Sequence, residues 1–180
     1  MNKSSDMLLN IRLVFNGVAL SHLVFAAIVI LPIDMSTDED PRISIYIRVR
    51  WKLITCWCNL MLLGYFLISF YCDCEEKQGK WDGKRVTGFR LFRDYFMTRV
   101  IFPSTMLCDS LFWILWHTDP TLIAPMAVFS YLPNWAQHSL HTLSAVKVVV
   151  DILLVPRRRP ANLLPGIVMM YSFCALYSSV

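Results

Sequence analysis

The sequence predicts an all-α protein, a polytopic membrane helix bundle of about five spans that forms a single domain over residues 1–180. Of its residues, 56% are hydrophobic and only 17% are charged, whereas soluble domains usually have about 25% charged residues. Apolar runs of ~20 residues, the length that crosses a bilayer as a helix, alternate with short charged connections. The net charge of +4 comes from small basic clusters between these runs, which is typical of membrane loops and not of a nucleic-acid-binding surface.

The predicted spans follow the apolar runs. The first run has Arg12 as its only charge and is too long for the core of a signal peptide, so we expect a retained helix. In the third span, Pro103 should kink the helix. In the fourth, Lys147 and Asp151 share one face of the helix and can pair. The spans cover residues 8–32, 53–72, 95–116, 134–155 and 162–180, the last of which is barely long enough.

The basic residues of the connections predict the orientation in the membrane. The candidate inner connections are residues 73–93 and 156–160, and the outer ones are residues 33–52 and 118–133. The inner pair contains nine Lys and Arg residues and the outer pair contains four. Because cytosolic connections usually carry the excess of Lys and Arg, this difference predicts a cytosolic N-terminus.

Three polar residues on different spans fall at similar depths in the outer half of the bilayer. At the helical rise, Thr55 lies ~5 Å below the outer boundary, and Asp109 and His141 each lie ~10 Å below it. A nucleophile, a base and an orienting group need such convergence. His138 lies one turn before His141, and ionisable groups at this depth usually mark a site. Two other interpretations stay open: histidines that hydrogen-bond between helices, and a Thr55 hydroxyl that bonds a carbonyl of its own helix.

Three ordered blocks of sequence carry a family resemblance. They read RWKLIT at 50–55 with Asn59-Leu60, then FRD, FP and FWIL at 92–94, 102–103 and 112–115, and finally PNWAQHSLHT at 133–142. Together they cover roughly residues 46–145 and resemble the androgen-induced and androgen-dependent TFPI-regulating proteins. Gln137 and Asp109 depart from the family pattern. The family has six spans, so its C-terminal span is expected to be missing from this chain.

The resemblance implies a membrane hydrolase that cleaves fatty acid esters of hydroxy fatty acids with a threonine nucleophile and a histidine base. Carried over by motif, the nucleophile is Thr55 and the base is His141, and neither a cofactor nor a metal ion is implied. Asp109 and His138 are candidate supporting residues. The expected partners are a lipid ester that enters from the bilayer and the membrane lipids, without nucleic acid. The membrane is expected to be the plasma membrane or the endoplasmic reticulum.

Two alternative functions belong to other classes. The first is a catalytically inactive or truncated multi-pass membrane protein that acts through protein partners. The second is a metal or haem site ligated by some of the four histidines, which are His22, His117, His138 and His141. The sequence lacks the repeated histidine-rich boxes typical of membrane metal oxygenases, which disfavours the second alternative.

Overall fold

The structure, a computed structural model, describes residues 3–80, 88–157 and 162–179. These residues contain nine α-helices. No strand occurs within these residues, which confirms the predicted all-α class. Two short 3-10 turns and one π turn, Met97–Ile101, lie between helices. The helices are α1 (Lys3–Ile30), α2 (Pro41–Val49), α3 (Ile54–Lys77), α4 (Gly88–Phe96), α5 (Phe102–Thr118), α6 (Val128–Tyr131), α7 (Asn134–His141), α8 (Leu143–Leu154) and α9 (Leu164–Ser178).

Three helical segments in the described residues are long and apolar enough to cross a membrane, which identifies an integral membrane protein. They are Ser5–Ile30, Pro41–Lys77 and Gly88–Thr118. These segments correspond to the first three predicted spans. The fourth and fifth spans stay predictions, because the fourth is divided and α9 is apolar but shorter. The orientation also stays a prediction, and the basic residues Lys84, Arg85, Arg158 and Arg159 lie outside the described residues.

The irregularity predicted at Pro103 takes the form of the π turn directly before α5. The Phe102 amide donates to the Met97 carbonyl, five residues back. Pro103 has no amide hydrogen, so one carbonyl of the preceding turn loses its usual donor. The Ser104 hydroxyl donates to the Val100 carbonyl at 2.6 Å, which satisfies a further carbonyl of this wider turn. As a result α4 and α5 form one continuous but irregular helix.

The fourth predicted span is divided at Thr142 into α7 and α8. The Thr142 amide still donates to the His138 carbonyl at 3.0 Å, and the Thr142 carbonyl accepts from the Val146 amide at 3.0 Å. The Thr142 hydroxyl lies 3.1 Å from His138 Nδ1. The junction therefore puts His141 at the end of α7 and Ser144 in the first turn of α8.

The apolar core lies where α1, α3, the π turn and α8 meet. Its buried members include Leu62 and Phe66 of α3, Met97 and Ile101 of the π turn, and Val148 of α8. Lipid tails are as apolar as these side chains, so close packing holds such helices together in a membrane more than exclusion from water does. The core fixes the position of α3 and α5, the two helices that supply Thr55 and Asp109.

A buried charge cluster joins α1, α3 and α4. The Arg12 guanidinium pairs with the Asp73 carboxylate, and Arg93 Nη1 lies 3.5 Å from the same carboxylate oxygen. Asn16 Nδ2 donates to the other oxygen of Asp73 at 2.8 Å. All four residues are at most 2% exposed. The only charge of the first apolar run is therefore compensated inside the bundle and does not face lipid.

The ion pair predicted between Lys147 and Asp151 is not formed, since the structure gives each residue another partner. Asp151 pairs with Arg157 and accepts a hydrogen bond from the Tyr65 hydroxyl at 2.8 Å. Lys147 Nζ lies 2.8 Å from His22 Nδ1. A buried carboxylate needs several donors, and Tyr65 and Arg157 supply them from outside α8.

We expect Asp73→Ala to destabilise the protein strongly, because it removes the fully buried carboxylate that Arg12 and Arg93 share and leaves each guanidinium with one partner, Glu76 or Asp94. Breaking a buried ion pair in this way costs about 3–5 kcal/mol. Thermal unfolding of the detergent-purified protein measures the loss. The matched control is Glu76→Ala, because Glu76 also contacts Arg12, at 3.3 Å, but its side chain is 29% exposed. The control should cost less than about 1 kcal/mol, and equal losses would show that Asp73 is not the central partner.

Candidate active site

A cavity of about 400 Å³ lies between α1, α3, α5 and α7 and also contacts the connection that precedes α7. Aliphatic and aromatic side chains form most of its wall. A mostly apolar cavity with a few polar groups is the usual form of a site for an apolar ligand. Its polar lining residues include Arg50, Thr55, Asn59, Cys108, Gln137 and His141.

Thr55 is half-buried in the first turn of α3, and its hydroxyl faces α5. Its Oγ1 lies 3.5 Å from Cys108 Sγ. The carbonyl one turn earlier, that of Trp51, accepts a hydrogen bond from the Trp57 indole at 3.1 Å. The alternative role of the Thr55 hydroxyl was a hydrogen bond to a carbonyl of its own helix. The structure instead shows a contact with Cys108.

His141 is 4% exposed and stacks flat on Phe112 of α5, with ring centroids 3.5 Å apart and an interplanar angle of 5°. Its Nδ1 lies 3.4 Å from Asp109 Oδ1. This separation permits a charge contact, but it is too long and too poorly directed for a good hydrogen bond. The imidazole thus packs flat on an aromatic ring of α5 and lies close to a carboxylate of the same helix.

Asp109 is buried and contacts two other helices. Its Oδ1 faces His141 of α7, while its Oδ2 accepts a hydrogen bond from the Ser144 hydroxyl of α8 at 2.6 Å. The depth argument placed Asp109 and His141 at one level, and the structure brings them into contact. The role of Asp109 as an orienting group stays a prediction.

Cys108 is a residue of this site that the sequence analysis missed. Its sulfur, a ring nitrogen of His141 and a carboxylate oxygen of Asp109 all lie within 4.8 Å of one another. The three side chains are buried and could together hold a metal ion. Cys108 directly precedes Asp109 in the sequence, and a thiol next to a carboxylate inside an apolar span is unusual. This adjacency could have indicated Cys108 as a candidate site residue.

Asn59 of α3 connects Thr55 to the segment that carries His141. Its Nδ2 donates to the Thr55 carbonyl at 3.0 Å and lies 3.4 Å from the Leu140 carbonyl of α7. A side chain that bonds both backbones fixes the distance between the first turn of α3 and the last turn of α7. Asn59 belongs to the first sequence block, but its position gave no indication of this bridging contact.

His138 does not join the cavity that Thr55 and His141 line. It is exposed on the other side of α7, where its ring centroid lies 4.9 Å from that of Trp113. His117 packs against the same indole, at 5.9 Å. The geometry therefore disfavours a direct supporting role for His138 in the cavity.

His22 of α1 lies between two polar groups of the fourth predicted span. Its Nε2 is 3.0 Å from the Ser139 hydroxyl, and its Nδ1 is 2.8 Å from Lys147 Nζ. Of the four histidines, only His141 lines the cavity. The histidine-ligated metal or haem site considered from the sequence has no set of converging histidines among the described residues.

Comparison with known proteins places the chain in a family. The model of the FAR-17a/AIG1-like protein family matches residues 12–180. The chain belongs to this family. This membership confirms the resemblance carried by the three sequence blocks. It does not by itself assign an activity to the chain.

Curated relatives of the FAR-17a/AIG1-like family match with moderate identity. The androgen-dependent TFPI-regulating protein of Mesocricetus auratus is 31% identical over 127 residues, 69% of this chain and 53% of that protein. Its Homo sapiens counterpart is 30% identical over 113 residues, 63% of this chain and 48% of that protein. The androgen-induced gene 1 protein of Homo sapiens is 25% identical over 117 residues, 62% and 49% of the two chains. The chain thus spans about half the length of the curated relatives it matches, and no solved structure matches it.

Proposed function

We propose that this chain is a membrane hydrolase that cleaves the ester bond of fatty acid esters of hydroxy fatty acids, with Thr55 as the nucleophile and His141 as the base. The observation that carries the proposal is that the Thr55 hydroxyl and the His141 imidazole line one apolar cavity from two different helices. A hydroxyl is a poor nucleophile until a neighbouring base can take its proton, and a buried imidazole is such a base.

The walls of the cavity suit a lipid that arrives from within the bilayer. Leu60 of α3 and Leu111 of α5 line the cavity and are 57% and 48% exposed. An opening between these two helices would face the acyl chains of the membrane. A branched ester with two long hydrocarbon arms could enter there without crossing water.

Among the described residues that line the cavity, Arg50 alone carries a permanent charge. Its Nε is buried without a hydrogen-bond partner in the described part of the chain, and its Nη1 lies 3.4 Å from the Ile33 carbonyl. The nearby Asp34 accepts a hydrogen bond from the Ser36 amide at 2.8 Å, and no ion pair joins it to Arg50 within the described residues. The free carboxylate of the hydroxy fatty acid is the complementary charge, and we assign its binding to Arg50.

The proposed reaction has two halves. His141 takes the hydroxyl proton of Thr55 while the oxygen attacks the acyl carbonyl, and the imidazolium then protonates the departing alcohol. Water activated by His141 next hydrolyses the acyl-threonine and restores the hydroxyl. Asp109 would stabilise the imidazolium in both halves. Thr55 and His141 are not hydrogen-bonded in the described structure, and such bonds often tighten only when substrate is bound.

We expect Thr55→Ala and His141→Ala each to lower kcat at least about 100-fold, because general base and nucleophile act as one unit. The measurement is release of hydroxy fatty acid from a branched ester by purified protein in lipid nanodiscs. His138→Ala is the matched control, since His138 lies one turn away on the same helix but outside the cavity, and it should retain activity. Undiminished turnover in both site variants would exclude this mechanism. A wild-type protein without turnover would favour the catalytically inactive alternative.

Asp109→Asn tests the orienting role of the carboxylate. The variant keeps the shape of the side chain and an oxygen for the Ser144 hydroxyl, but it removes the charge that would stabilise the imidazolium. We expect kcat to fall about 100-fold or more, with the thermal unfolding midpoint nearly unchanged. A lower midpoint with kcat per folded molecule retained would instead assign Asp109 to packing.

Arg50→Gln should raise KM about 10- to 100-fold for an ester that carries a free carboxylate, because it removes a charge-assisted hydrogen bond. The methyl ester of the same substrate should show no change in KM, since it has no charge for Arg50 to bind. Arg48→Gln, an exposed arginine on α2, is the control. Equal changes in KM for the acid and for its methyl ester in Arg50→Gln would show that Arg50 does not bind the carboxylate.

A further inference from the structure

The cavity contains a thiol that the proposed hydrolysis does not use. Cys108 is 5% exposed, yet it lines the cavity with Thr55 and His141. Its sulfur is within 4.8 Å of a ring nitrogen of His141, which is itself close to Asp109. Cys56 also lines the cavity, from α3. The four remaining cysteines include the exposed Cys174 of α9.

The surroundings of Cys108 are those of a reactive thiol. Thiols become nucleophilic when a neighbouring base can take the proton, and a cysteine beside an imidazole and a carboxylate meets this condition. The Nδ1 of His141 is buried 3.4 Å from Asp109 Oδ1 and makes no hydrogen bond among the described residues, so the carboxylate can stabilise the imidazolium that forms when the ring takes the thiol proton. The Thr55 hydroxyl at 3.5 Å can donate to the thiolate sulfur.

The cavity also determines which reagents reach this sulfur. Its wall is mostly apolar, and two of its residues, Leu60 and Leu111, are half-exposed, so a lipid would reach the cavity beside them. Small polar reagents would therefore enter poorly, whereas a hydrocarbon chain with a reactive head would be concentrated there. The reactive head that matches a soft thiolate is an electron-poor carbon–carbon double bond.

We propose that Cys108 is a covalent acceptor site for long-chain α,β-unsaturated aldehydes and ketones dissolved in the bilayer. The Cys108 thiol transfers its proton to His141, and the sulfur forms a bond to the β-carbon. The electrons of the carbon–carbon double bond move toward the carbonyl, and the α-carbon then takes the proton back from the imidazolium. The product is a thioether with an intact carbonyl, and the addition consumes no oxidant or reductant.

The adduct would occupy the cavity beside Thr55 and block the approach of an ester. This inhibitory consequence depends on the proposed hydrolase function, whereas formation of the adduct does not. Mass measurement of the adduct keeps the two apart, because it detects modification of Cys108 whether or not the protein hydrolyses an ester.

The test uses an alkyne-tagged long-chain 2-enal as the probe, with the purified full chain in lipid nanodiscs. Intact-mass measurement and peptide mapping should find one adduct, located on Cys108 and formed in preference to the exposed Cys174. Cys108→Ser, which preserves size, should lose the adduct, while Cys56→Ala should label like the wild type. His141→Ala should slow labelling about tenfold or more, because the thiol then loses its base.

Three results would overturn the proposal. The first is labelling that follows exposure, with Cys174 modified ahead of Cys108 in the wild-type protein. The second is an unchanged labelling rate in a folded His141→Ala variant. The third is a zinc ion bound by Cys108, Asp109 and His141 that blocks labelling until a chelator removes it, because those side chains would then be a metal site.

Discussion

Asp73 lies fully buried between Arg12 and Arg93, and the packing of three helices depends on that contact. Each of these side chains would be costly in lipid if it stood alone, so none of the three helices can expose its charge without a large penalty. Apolar packing alone discriminates poorly between rotations of α1 and α3, because both helices are apolar over most of their surface. The charge cluster removes that freedom. It thereby sets the rotation of α3, the helix whose first turn carries Thr55.

Buried polar groups are paired between helices at other levels of the bundle as well. Tyr65 of α3 and Arg157 after α8 meet at Asp151, and His22 of α1 meets Lys147 of α8. In each case one helix carries a polar group that its own neighbours cannot satisfy, and a second helix supplies the partner. Hydrogen bonds of this kind give helix pairs in membranes their specificity, since dispersion forces discriminate poorly between apolar faces. The candidate active site is a further member of this set, with the difference that its polar groups also border an open space.

Depth along a helix could be predicted from the sequence, and rotation about its axis could not. Counting residues from the span ends placed Thr55, Asp109 and His141 at similar levels, because the rise per residue is nearly constant. The contact of Cys108 with Thr55 depends on which side of α5 faces α3, and the periodicity of an almost wholly apolar helix does not reveal this. The partner of Lys147 was missed for a related reason. A pair spaced i, i+4 competes with residues on other helices, and the sequence gives no measure of those competitors.

The π turn before α5 has a consequence for how members of the family are compared. A π turn is one residue inserted into an otherwise regular helix, and each inserted residue rotates everything after it by about 100°. In this chain the insertion precedes Pro103, so it determines that Cys108 and Asp109 point inward. A relative with a regular helix at this point would present different neighbours to the cavity from an almost identical sequence. Alignment of the third span therefore has to allow a one-residue shift at the turn before positions in the cavity are equated.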